Sequence, residues 1–208
     1  MSRLRLPADR RRSLLAAARR VFARKGYEAA TVAEIVAEAG VAQGTFYLYF
    51  PSKRAAAAQL AEDFHRGLME AVASAYRPGR PLVESVRPTV EAAFLYCRDN
   101  LDLMRLFEVE IALDSEACRK AQASATRQRF HAWLQEVIRR HAEQEGLRLD
   151  PEMMAHIIQW VMREATYECL VVGGGKDVDR YIDGVTTFLE AALQGSQTPY
   201  RTAGEEKR

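Results

Sequence analysis

The 208-residue chain has only three cysteines, Cys97, Cys118 and Cys169. They lie far apart and form no CxxC pair, which excludes a disulfide framework and a zinc pattern and leaves reduced core thiols as the expectation. No run approaches the roughly 20 uncharged apolar residues of a membrane span. The basic opening MSRLRLPADRRR leads into no apolar signal segment, so a cytoplasmic location without a membrane partner is expected. Catalytic signatures are missing as well. There is no GxSxG, no Walker loop and no dinucleotide fingerprint, and Gly173-Gly174-Gly175 closes a helix instead of following a strand. The four histidines, His65, His131, His141 and His156, make no HxxxH or HExxH spacing. The expectation is therefore no enzyme, no catalytic residue, no metal and no cofactor.

What is present is apolar material enough for a core, at 48% of residues with 28% charged, which rules out disorder of the whole chain. Net charge is +2, but it is unevenly spread. Residues 1–54 hold eleven Lys/Arg against four Asp/Glu, a surplus of seven positive charges, and the remainder is acidic by five. A basic head on an acidic body suits a polyanion partner, and suits a merely solvated arginine-rich end equally well.

Strand-type alternation is absent and alanine is abundant, so the chain reads as helix throughout. Helices are expected over about 9–25, 31–39, 43–50, 52–75, 82–97, 101–113, 115–145, 151–172 and 177–194. Thr31 followed by Glu34 fits a capping box, Gly40 fits a helix end, and Asp150-Pro151 fits a capped first turn. The fold class is all-α with about nine helices. An N-terminal three-helix helix-turn-helix DNA-binding head (1–54) precedes a larger helical ligand-binding and dimerisation body (55–195). A flexible polar tail (196–208) follows.

The segment TVAEIVAEAGVAQGTFYLYFPSK over 31–53 carries the chemistry. Two short helices around Ala39-Gly40-Val41-Ala42 form the layout of a helix-turn-helix, whose second helix enters the major groove. Gln43, Gly44 and Thr45 hold the base-facing positions. Gln43 can bond adenine in bidentate fashion, Thr45 can offer a methyl to thymine, and Gly44 lets the backbone come close. Tyr47 and Tyr49 can each give a hydroxyl to phosphate, and Lys53 can meet phosphate at the start of the fourth helix. Phe46 and Phe50 are expected in the core. Arg19, Arg20 and Arg24 are expected to be solvated or bridging.

On AATVAEIVAEAGVAQGTFYLYFPSK and the Arg-Lys-Gly-Tyr end of the first helix, the chain resembles the tetracycline-repressor (TetR) family of bacterial transcriptional regulators. The resemblance covers roughly residues 10–55. It implies a phosphate contact for Thr31, base reading by Gln43 and Thr45, a phosphate contact for Tyr47 and a helix-start role for Lys53, and it places Tyr49 where histidine or tyrosine is common. Ala42 departs from the Ser or Thr that is frequent in the family, and loses a cap worth about 1 kcal/mol.

The resemblance also implies a ligand cavity among the fourth to eighth helices. Phe64, Phe94, Met104, Phe107, Phe130, Trp133, Trp160 and Tyr167 are the candidate lining residues; a filled core is the alternative. Such a set favours a small hydrophobic or aromatic effector, with a fatty acyl compound as one candidate. The 151–172 helix is apolar on more than one stripe. With 177–194 it is expected to form a homodimer that presents two recognition helices to a near-palindromic double-stranded DNA operator. The expected function is a ligand-responsive regulator, a repressor released by its effector. An all-α enzyme or carrier with a structural basic head, or a DNA-binding protein with a solid core, are the rivals.

Overall fold

The computed structural model describes residues 7–112 and 125–196; for Pro7, Ala8, 107–112 and Ala125 only the backbone is described. Among the described residues there is no strand. The helices are α1 (Pro7–Lys25), α2 (Val32–Ala39), α3 (Gln43–Tyr49), α4 (Lys53–Ala75), α5 (Val83–Asp99), α6 (Leu101–Ala112), α7 (Ala125–Glu145), α8 (Pro151–Tyr167) and α9 (Val178–Gly195). A π-helical turn, Glu168–Val172, continues α8. The expected start of the 115–145 helix, Cys118 and tail residues 197–208 lie outside the described residues.

Local chemistry sets the helix ends. Thr31 Oγ1 accepts the Glu34 N–H at 3.3 Å, and Glu34 Oε2 accepts the Thr31 N–H at 3.0 Å, a complete capping box. Gly40 ends α2 in the left-handed region, φ 65°, which glycine enters without a Cβ clash. Asp150 caps α8 through the N–H groups of Glu152 and Met153, at 3.0 and 3.1 Å, with Pro151 in the first turn.

The last five residues expected in the 151–172 helix wind more loosely than an α-helix. The Gly173 N–H reaches back five residues to the Glu168 carbonyl at 2.8 Å. A Cβ at Gly173 would lie 3.0 and 3.1 Å from the carbonyl oxygens of Cys169 and Glu168. The wide turn and the bare glycine therefore belong together.

By compactness the chain divides into residues 1–67 with 99–126, and 68–98 with 127–208. In the first unit Leu14, Ala18, Val21 and Phe22 of α1 meet Ile35, Val36 and Phe46 as a core with exposures of 0–6%. Full burial of each large side chain contributes roughly 1.5–3 kcal/mol. α6 belongs to this unit, with Leu103 and Leu106 buried. Arg19 forks onto Asp102, Nε to Oδ2 at 2.6 Å and Nη2 to Oδ1 at 2.8 Å, and so ties α1 to α6. Partial burial pushes the Asp102 carboxyl up, but the Arg19 hydrogen bonds and charge outweigh it and hold the group below its ordinary value.

The second unit buries Val86, Val90 and Phe94 of α5 with Val137 and Ile138 of α7 and Ile182, Val185 and Leu189 of α9. Cys97 and Cys169 are free and buried here. Burial pushes the Cys97 thiol up to about 12 against an opposing hydrogen bond from Thr166, which makes it an inert core group.

Candidate nucleic-acid interface and ligand cavity

Helix α3 is held from one side only. Phe46 and Phe50 are 0% and 2% exposed, with ring centroids 5.7 Å apart. The Arg11 guanidinium lies over the Phe50 ring at 5.2 Å and donates to Gln59 Oε1 at 2.6 Å. Gln43, Gly44, Tyr47 and Leu48 are all exposed, with Leu48 about 160° from both buried rings at 100° per residue. Tyr47 is 51% exposed and Leu48 81%. Thr45 and Tyr49, one turn apart, sit half-buried on the flank. Ala42 stands at the N-cap with no side-chain hydrogen bond.

Leu48 is the residue that the sequence did not single out. Its signal was its phase, out of step with Phe46 and Phe50.

The cations of this unit are largely engaged within it. Arg20 and Arg24 both reach Glu38, at 2.8 and 3.5 Å, and Lys25 pairs with Glu34. The Lys25 hydrogen bond, helped by Thr31, holds the Glu34 carboxyl below its usual range, and Arg20 does the same for Glu38. Thr31 Oγ1 is committed to the capping box and to Glu34 Oε2 at 3.0 Å.

Lys53 differs most from its expected role. Its ammonium donates to the backbone carbonyls of Tyr27, Glu28 and Ala30, at 2.7, 3.1 and 2.9 Å, and lies 4.4 Å from the Tyr27 ring centroid. All three donors of the group are thereby used. It buckles the α1–α2 loop onto α4 instead of pointing at phosphate. Replacing Lys53 with methionine keeps the stem and removes the donors. The expected loss is about 1–2 kcal/mol, or roughly 3–6 °C in thermal midpoint by calorimetry. An unchanged midpoint with weakened DNA binding would return the residue to the phosphate role.

The second unit contains a cavity of about 140 Å³. Helical phase decides its wall: Val86, Val90 and Ala93 of α5, Val137 and Ile138 of α7, and Met154, Ile158 and Met162 of α8. Of the eight expected lining residues, Phe130 and Trp133 are in the wall, stacked with centroids 5.8 Å apart. Phe94 is fully buried and Tyr167 half-buried, but neither lines it. Phe64 and Met104 belong to the first unit, and the Phe107 side chain lies outside the described residues. Trp160 is 72% exposed. It stands two residues, or 200°, beyond Ile158, so the turn that aims Ile158 inward aims Trp160 outward.

The outward faces of α8 and α9 also carry exposed Met153 (58%) and Phe188 (53%).

Residues 14–60 match the model described as bacterial regulatory proteins, tetR family. The chain is 27% identical over 186 residues to the uncharacterised HTH-type transcriptional regulator YvdT of Bacillus subtilis (strain 168), covering 86% of this chain and 93% of that one. Among solved structures, the fatty acid degradation regulator FadR from Bacillus halodurans superposes with a TM-score of 0.77 at 21% identity, over 92% of this chain and 99% of that one. The transcriptional regulator FadR from Bacillus subtilis in complex with stearoyl-CoA gives 0.76 at 18% identity, over 88% and 98%.

Proposed function

Since this chain belongs to the tetR family of transcriptional regulators, we propose that it is a cytoplasmic, dimeric repressor that binds a near-palindromic operator and leaves it when a hydrophobic small molecule fills the cavity. It acts as a regulator and not as an enzyme. The observation that carries the reading is the outward face of α3, where Gln43, Gly44, Tyr47 and Leu48 are exposed together. That face combines an amide, bare backbone, a phenol and a methyl-bearing side chain, the groups that meet base edges, phosphate and the thymine methyl. Thr45 and Tyr49 flank it. Thr31 and Ala42 mark the approaches of α2 and α3 to the phosphates. Lys53 supports the interface from behind.

Phe130 and Trp133, with the aliphatic wall, favour an apolar effector. We assign it to the fatty acyl class, which the stearoyl-CoA complex of the B. subtilis relative supports. A cavity of about 140 Å³ is below the roughly 300–1,000 Å³ of occupied ligand sites. A long acyl chain therefore requires the wall to open. An effector that binds only the opened form shifts the population by its differential affinity, and operator affinity falls by that amount if the open form misplaces α3. Helix α4, a single helix whose residues fall in both compact units, is the proposed lever.

The test is selection of sites from a random duplex pool with the purified protein at two salt concentrations, then addition of stearoyl-CoA to the selected complex. Enrichment of a palindrome whose affinity falls steeply with salt, and its release by the thioester, is the expected result. No enrichment at either salt sinks the DNA-reading role. Retention of DNA at saturating thioester sinks the acyl assignment alone.

A further inference from the structure

We propose that the cavity of the second unit selects neutral ligands carrying a hydrogen-bond acceptor, such as a ketone, ester, thioester or amide carbonyl, and that Gln159 reads the acceptor. The inference rests on the ligand-responsive reading above and narrows its effector.

Gln159 lines the cavity from α8. The Nδ1–H of His131, on α7, donates to its Oε1 at 3.3 Å, which engages the carbonyl end of the amide. Its Nε2 is buried and has no hydrogen-bond partner among the described residues. Tyr76, Thr89 and Ser85 of the wall are engaged elsewhere. Tyr76 donates its hydroxyl to Nε2 of His141 at 2.9 Å, and the His141 Nδ1–H is held by Glu145 at 2.5 Å. The Thr89 hydroxyl donates to the carbonyls of Ser85 and Val86, at 2.7 and 2.9 Å. Ser85 Oγ accepts the Arg77 N–H at 3.1 Å. Among the described wall residues, the Gln159 amide nitrogen is the buried side-chain polar atom left without a hydrogen-bond partner.

An unmade buried donor is a standing destabilisation. A carbonyl ligand removes it, and a hydrocarbon of the same shape leaves it in place. The described wall residues include none that is charged, so a carboxylate would enter with its charge unpaired, at a far larger desolvation penalty than a neutral carbonyl. Polarity without charge is therefore the selection rule, and an acyl thioester satisfies it where a free fatty acid does not.

Three aromatic probes of equal heavy-atom count separate the contributions: cumene, with no acceptor; acetophenone, with a neutral one; and benzoate, with a charged one. One ring suits the cavity, since an apolar cavity of about 150 Å³ takes benzene. Binding of each to the full chain is measured by calorimetry at neutral pH, for the wild type and for Gln159→Leu. Gln159→Met is the second variant should leucine disturb the fold.

In the wild type, benzoate is expected to bind at least about tenfold more weakly than acetophenone. In the variant, the acetophenone dissociation constant is expected to rise about tenfold relative to that of cumene, the factor typical of one buried hydrogen bond. The ligand-free variants lose the unpaired donor together with the Oε1 that engages His131, so their heat stability should stay near that of the wild type. A variant that shifts acetophenone and cumene equally, or benzoate binding as tightly as acetophenone, overturns the role of Gln159 and leaves the ligand reading standing. A wild type that binds none of the probes overturns the ligand reading itself.

Discussion

Replacing Gly44 with alanine is expected to stabilise the protein and weaken its hold on DNA. Glycine inside a helix costs about 0.5–1 kcal/mol relative to alanine, through the freedom it loses on folding. Gly26, Gly40 and Gly174 adopt positive φ, where that freedom is required. Gly44 does not. It sits at the second position of α3, and a Cβ built there would meet nothing within 4 Å. The fold thus carries the cost of a glycine it does not need, on the exposed face proposed to meet DNA. The reason must lie outside the chain, in a surface that approaches closer than a methyl allows. Alanine should raise the thermal midpoint by roughly 1–4 °C. It should lower affinity for the selected operator by about tenfold or more, the scale of forcing one methyl into a packed contact. Calorimetry and a DNA titration on the same preparation check both halves. A stabilised variant with full affinity would falsify the close approach, and a destabilised one would show that the fold uses the glycine after all.

Much of this geometry was legible from local chemistry. Thr31 with Glu34, Gly40, and Asp150 with Pro151 are signals confined to four or five neighbouring residues, and each helix end falls where they put it. Phe46 and Phe50 followed from helical phase. Arg20 and Arg24 bridge to Glu38, in keeping with the bridging role that they were given beside solvation. The engagement of Lys53 was not legible because its partners are backbone carbonyls 23 to 26 residues away. A side-chain pattern cannot show a carbonyl. The cavity wall was misjudged for another reason. Aromatic rings draw the eye in a sequence, but rotation about each helix axis decides what faces a cavity. Val86, Val90 and Ala93 keep that phase on α5, whereas Trp160 on α8 breaks it. The π-helical turn was hidden because it depends on what Gly173 lacks, not on what any residue contributes.

The outward position of Trp160 leads to the second large effect. The proposed dimer needs an interface, and an exposed tryptophan is the type of side chain that anchors one. Trp160, Met153 one face-repeat earlier, and Phe188 on α9 leave a large apolar area uncovered on two helices that pack on each other. Gly184, one turn before Phe188, is exposed, and a Cβ there would meet nothing within 4 Å, so it too is a glycine that the lone chain does not require. Close approach of a second α9 gives it a purpose. Trp160→Glu and Phe188→Glu change side chains that contribute little to the protomer, so each variant should keep its helicity and its protomer fold. In the dimer each would bury an unpaired carboxylate, which the interface cannot accommodate. Light scattering should then report a monomer of about 23.5 kDa. Operator affinity should fall by about 10²–10⁴-fold, because the second half-site is no longer held at high effective concentration. Binding to a single half-site should change far less. If both variants remain dimeric with full operator affinity, α8 and α9 are not the dimer face, and the exposed tryptophan needs another partner.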